Sequence, residues 1–161
     1  MVLGDPHHAY PVIHVAGTNG KTSVTRMIDA LMRALHQRTG RNSSPHLQSV
    51  TERIALDGEP IPARLFVDTY RELQPYLELV DQRSEAAGGP RLSYFEVLTS
   101  MAFAAFADAP VDVAVIETGM GGTWDATNVV QPAVAVVTPV GLDHTDYLGD
   151  DLATIAGEKA G

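Results

Sequence analysis

Gly17, Thr18, Asn19, Gly20, Lys21, Thr22 and Ser23 follow one another in this chain, and together they are the parts of a phosphate-binding loop. Glycines let backbone N–H groups close around an anion, and a helix starting at the lysine adds the positive end of its dipole. The Lys21 ammonium can reach the outer phosphates of a nucleoside triphosphate, and the Thr22 and Ser23 hydroxyls are oxygen ligands of the kind Mg²⁺ takes. The common phosphate loop also carries a glycine five positions before its Gly-Lys pair. Here that position is Val15, so the loop is a variant of the pattern.

Two later runs are rich in the same chemistry. Glu117 stands one residue past an apolar stretch, and a glycine-rich run follows it: Thr118-Gly119-Met120-Gly121-Gly122-Thr123-Trp124-Asp125-Ala126-Thr127-Asn128. A carboxylate at a strand end beside such a turn is placed to meet a metal. His144 lies between Asp143 and Asp146. Mg²⁺ prefers oxygen, so His144 reads on its own as a phosphate ligand or a base, and more plainly as part of a surface loop. Lys159, read alone, is a cation favoured near a helix C-terminus.

These residues need elements to hold them. Val12–Ala16 reads as a buried parallel strand running into the phosphate loop. Val24, Met27, Ile28, Leu31, Met32 and Leu35 recur at helical spacing, with Thr39-Gly40 as the stop. Residues 52–56 read as a short strand with Asp57-Gly58 as a turn. A second helix begins near Pro62, with Pro75 expected to kink or split it. Residues 84–90 look like a linker. Ser93 and Glu96 form a capping box for a third helix to about Ala107. Residues 111–117 and 133–138 read as two more buried strands, and Asp150 or Asp151 caps a last helix. Strands alternating with helices imply an α/β fold, a mostly parallel sheet flanked by helices. In such a sheet, ligands sit beyond the carboxyl ends of the strands, where all three motifs fall.

The 161 residues suffice for one domain with a real core, and 45% are hydrophobic. No run is long and apolar enough for a membrane helix, and the first ten residues lack the pattern of a signal peptide. Cysteine is absent, which excludes disulfides and thiolate metal sites and fits a cytoplasmic protein. A net charge of −9 argues against nucleic acid as a partner.

Several motifs occur together and in order: His14 to the phosphate loop, Ser44-Pro45-His46-Leu47, Glu52-Arg53-Ile54, the run from Glu117 to Asn128, Leu142 to Asp146, and Gly157-Glu158-Lys159-Ala160-Gly161. In these the chain resembles the N-terminal, ATP-binding part of folylpolyglutamate synthases and bifunctional dihydrofolate synthases, within the Mur ligase superfamily. The resemblance implies a Mur ligase central-type domain over 1–161. It also implies an activity: ATP phosphorylates a carboxylate of folate or dihydropteroate, and the amine of L-glutamate displaces the phosphate. It implies that residues 17–23 hold ATP, that Ser44, Glu117 and His144 join Thr22 and Ser23 as Mg²⁺ ligands, and that Thr123, Trp124 and Asp125 contact the pterin substrate. Lys159 matches a lysine that is carbamylated in the superfamily, and Lys21, His144 and Lys159 are the residues expected to serve catalysis. Family members often carry Arg where this chain has Thr123. The expected partners are small molecules, with no membrane and a monomer at full length. Family enzymes continue into a glutamate ligase domain, so the chain reads as an incomplete domain, inactive by itself. The alternatives are another Mur-type ligase or a nucleotide-binding module without catalysis.

Overall fold

Val12–Ala16 forms β1 in the computed structural model, which describes residues 4–161. The first three residues of the domain expected over 1–161 lie outside the described ones. β1 is an inner strand of a six-stranded sheet whose other members are β2 (Thr39–Asn42), β3 (Ile54–Leu56), β4 (Glu59–Pro60), β5 (Val113–Glu117) and β6 (Val134–Val137). The order is β4-β3-β2-β5-β1-β6. β2, β5, β1 and β6 run parallel, while β3 and β4 are antiparallel additions at one side. The sheet is mostly parallel and flanked by helices, as the alternating pattern predicts.

Helix α1 (Lys21–Ala34) crosses from β1 to β2, and α2 (Ala63–Ala86) and α3 (Tyr94–Asp108) lead to β5. The main core gathers around α3: Phe106, Met101 and Leu98 pack with Ile54, Ile116 and Val12. Ser93 caps α3 by accepting from the Glu96 N–H, and the Glu96 carboxylate accepts from the Ser93 N–H, the predicted capping box. Asp151 caps α5 (Leu152–Ala160). Among the described residues no helix is long and apolar enough to cross a membrane.

Five local readings are corrected. The strand expected to be buried over 133–138 forms as β6 but is largely exposed, because among the described residues it is an edge strand paired only with β1. Thr39-Gly40 opens β2 rather than ending a helix. Its Thr-Gly-Arg-Asn sequence has no apolar pattern, yet all four residues are buried between β5 and β3. Most of their side-chain polar groups find partners in other elements: Asp29 of α1 accepts from Thr39 Oγ1 at 2.6 Å and from Arg41 Nη1 at 3.1 Å, and Asn42 Nδ2 donates to the Arg53 carbonyl at 3.1 Å, while Arg41 Nε is left unpaired. For the same reason α1 buries Thr25 and Asp29, while Met27, Leu31 and Leu35 of the expected apolar stripe are exposed. α2 runs unsplit through Pro75, because Pro75 is on the solvent side and Thr69, Leu73 and Leu77 make the buried stripe. Of the expected linker over 84–90, residues 84–86 are the last of α2 and residues 87–90 close as a tight turn after it, with Ser84 Oγ donating to the Pro90 carbonyl at 2.6 Å. A short helix, α4 (Thr145–Leu148), also follows His144.

Candidate active site

Four parallel strands deliver their carboxyl ends to one edge, so the segments after β1, β2, β5 and β6 meet there. After β1 the chain turns at Gly17, where an added Cβ would collide with Thr138 Oγ1, and at Gly20, whose φ of 84° suits glycine. The loop is laced to the segment after β6. The Thr18 and Asn19 N–H groups both donate to the Pro139 carbonyl at 3.2 Å, and Thr18 Oγ1 accepts from Gly141 N at 3.1 Å. The N–H groups of the first turn of α1 have no side-chain cap and no partner within the helix, which makes that helix end suited to an anion. Lys21 Nζ arches over the loop, donating to the Gly17 carbonyl at 2.9 Å.

Glu117 ends β5 and is only 2% exposed. Its carboxylate accepts from Thr22 Oγ1 at 2.8 Å and from Ser44 N at 3.3 Å. Burial pushes its pKa up, and these hydrogen bonds with the charges of Lys21 and Arg26 oppose the shift. His144, in the left-handed conformation at φ 49°, is 3.7 Å from Asp143 through Nε2. Lys21, Thr22, Ser23, Ser44, Glu117 and His144 all border one cavity of about 390 Å³. Among the described residues no three His, Asp or Glu side chains gather as a metal cage. The donors present are one carboxylate, one imidazole and several hydroxyls, a sparse set that fits Mg²⁺ held chiefly through phosphate oxygens.

A second cavity, of about 530 Å³, adjoins the first and shares Ser44, Pro45 and Gly119 with it. Trp124 and Asp125 line it; Thr123 does not. The Thr123 N–H instead donates to the Glu158 carbonyl of α5 at 3.0 Å. The Asp125 carboxylate is already engaged by the N–H groups of Gly119, Met120 and Thr127 and by Thr127 Oγ1. The opposite wall brings residues that the motifs did not single out as site residues: Arg53, Ser93 and Phe95. The Arg53 guanidinium lies over the Tyr94 ring at 5.4 Å and donates to His46 Nδ1 at 2.9 Å. The signal for Arg53 was its place in the Glu52-Arg53-Ile54 motif.

Lys159 is 4% exposed and borders a third cavity with His14, Thr118 and Asn128, not the phosphate cavity. Burial, then the nearby Lys21 charge, lower its pKa, with Asp143 and Asp125 opposing. It is held close because Gly122 has no side chain: a Cβ there would collide with the Glu158 carbonyl oxygen and sit 3.0 Å from Lys159 Cα.

No family model matches the sequence. The chain is 66% identical to the dihydrofolate synthase/folylpolyglutamate synthase of Mycobacterium tuberculosis, over 99% of this chain and 34% of that protein. Its fold superposes on a Mycobacterium tuberculosis folylpolyglutamate synthase structure, complexed with ADP and AMPPCP, with a TM-score of 0.94 at 65% identity, covering 99% of this chain and 36% of that one. A folylpolyglutamate synthase–AMPPCP–folate complex gives 0.91 at 39% identity, covering 99% of this chain and 38% of that one. The chain therefore spans about a third of the length of the relatives it matches.

Proposed function

We propose that this chain, 66% identical to a dihydrofolate synthase/folylpolyglutamate synthase of which it spans about a third, belongs to that family and is the ATP-binding part of a ligase joining L-glutamate to folate or dihydropteroate. The observation that carries the proposal is the adjacency of two cavities. One is bordered by the phosphate loop and Glu117, the other by Arg53, Trp124 and Asp125, and they share Ser44, Pro45 and Gly119.

The chemistry follows from that adjacency. A substrate carboxylate in the second cavity approaches the terminal phosphate of ATP in the first. Its oxygen forms a bond to that phosphorus as the bond to ADP breaks, giving an acyl phosphate. The glutamate amine then attacks the acyl carbon, loses a proton and expels inorganic phosphate. The first step brings two anions together, so charge neutralisation and alignment dominate the barrier. Lys21 and the N-terminus of α1 neutralise the phosphates. Thr22, Ser23, Ser44, Glu117 and His144 would hold Mg²⁺, which when bound screens the phosphate oxygens. Burial and Lys21 together favour neutral Lys159, the form that carbamylation requires. Arg53 is the cation available in the second cavity for the substrate's own carboxylate. The same reading places the protein in the cytoplasm, as a monomer at full length, with small-molecule partners only.

Calorimetric titration of the chain with AMPPCP and Mg²⁺, and separately with folic acid, tests the binding half. Glutamate-dependent ADP release by the full-length protein tests the chemistry. A full-length protein that binds AMPPCP but releases ADP without regard to glutamate or folate would overturn the ligase assignment.

A further inference from the structure

We propose that His14 and Thr127 are positioning residues: they brace the wall of the second cavity against β1, the strand that carries the phosphate loop. The proposal rests on the functional reading only in taking that cavity as the substrate's.

The brace is a chain of hydrogen bonds whose directions are fixed. Asp125 Oδ2 accepts from Gly119 N at 2.9 Å and Met120 N at 2.8 Å. Oδ1 accepts from Thr127 N at 2.9 Å and Thr127 Oγ1 at 2.6 Å. A carboxylate only accepts, so the one hydroxyl proton of Thr127 points at Asp125. Toward His14 Nε2, 2.8 Å away, the same oxygen must accept. His14 therefore carries its proton on Nε2 and leaves Nδ1 bare when neutral. Burial of the ring favours the neutral form, against the pull of Asp125. His14, Thr127 and Asp125 are 8%, 0% and 7% exposed, so each bond is made away from water, where a lost partner is costly.

The two ends of this chain of bonds give it a purpose. One end is β1, two residues before Ala16 and the phosphate loop. The other is the backbone of Gly119 and Met120, which line the second cavity with Trp124 and Asp125 itself. Asp125 thus acts first on its own loop, and His14 holds Asp125 through Thr127. An ordinary strand residue at position 14 would need no such partner.

Trp124 is the chain's only tryptophan and lies on the braced wall, so its fluorescence reads the wall directly. It is 52% exposed, so release of the side chain from the wall raises its acrylamide quenching toward the limit of a fully exposed indole. Thr127→Val and His14→Leu are expected to move quenching toward that limit and to weaken folic acid binding. Thr127→Ser and His14→Gln, which keep the hydroxyl and the donor, are expected to behave as wild type. In the unmodified chain, ¹⁵N NMR is expected to show His14 protonated on Nε2, and hydrogen exchange to show protected Gly119 and Met120 amides. The opposite tautomer, unprotected amides, or wild-type quenching in folded Thr127→Val would each overturn the brace. If folic acid fails to bind the full-length protein while the NMR and quenching results hold, the substrate assignment fails and the brace stands.

Discussion

Lys21 reaches back to the Gly17 carbonyl at 2.9 Å and the Thr18 carbonyl at 3.4 Å, so its ammonium is held against the loop that would take the phosphates. Lys21→Ala is expected to weaken AMPPCP binding at least about tenfold, or about 1.4 kcal/mol, by calorimetry. Unchanged affinity would remove the loop from the nucleotide site. Glu52 makes a different kind of prediction. The backbone N–H groups of Leu47, Ser49 and Gln48 hold its carboxyl down to about 2 from an ordinary 4.5. A depressed carboxyl contributes stability that is present above the unfolded value and lost as pH falls toward the folded one. Glu52→Gln is therefore expected to melt below wild type at pH 7, with the two curves converging as pH falls from about 4.5 to about 2. A gap independent of pH would show that Glu52 acts by shape alone. At this scale the phosphate loop was legible because its residues are consecutive. Arg53 and the His14–Thr127 contact were not, because their meaning depends on partners in other elements: Tyr94 for the first, a loop 113 positions away for the second.

Elements show the same division. β1 and β5 were legible because inner parallel strands are apolar through their length. β2 was not, since its burial is made tolerable by Asp29, Thr39 and Arg41 satisfying one another across two elements. Where backbone meets backbone the sequence offers only a glycine. Gly122 is such a place: it lets the loop after β5 touch the Glu158 and Lys159 backbone of α5. Gly122→Ala must push helix and loop apart, costing about 1–3 kcal/mol, as overpacking does. That corresponds to a fall in melting temperature of roughly 2–4 °C per kcal/mol for a domain of this size. Calorimetric scans of the two proteins measure it. An unchanged melting temperature would mean that α5 docks loosely and that Lys159 is not held by this contact.

At the scale of the whole sheet, the described residues leave apolar side chains open to water along β6 and along α1. β6 pairs only with β1 among the described residues, and Val134 and Val137 are 50% and 51% exposed. These two residues fall on opposite faces of the strand, so both faces of β6 are wet as well as its free edge. Along α1, Met27, Leu31 and Leu35 are 62%, 64% and 66% exposed and recur every fourth residue, one face of the helix. The far edge of the sheet differs: β4 is two residues long and contains Pro60, which cannot donate to another strand. Association should therefore begin at β6. We predict that the 161-residue chain self-associates with rising concentration, its mass by light scattering climbing above 17.2 kDa. Val134→Lys with Val137→Lys places charge on both faces of that edge, the means by which natural edge strands resist pairing, and should return the chain to one mass at all concentrations. If the unaltered chain stays at the monomer mass throughout, water alone suffices to cover β6; if the lysine pair leaves the association intact, the α1 face drives it instead.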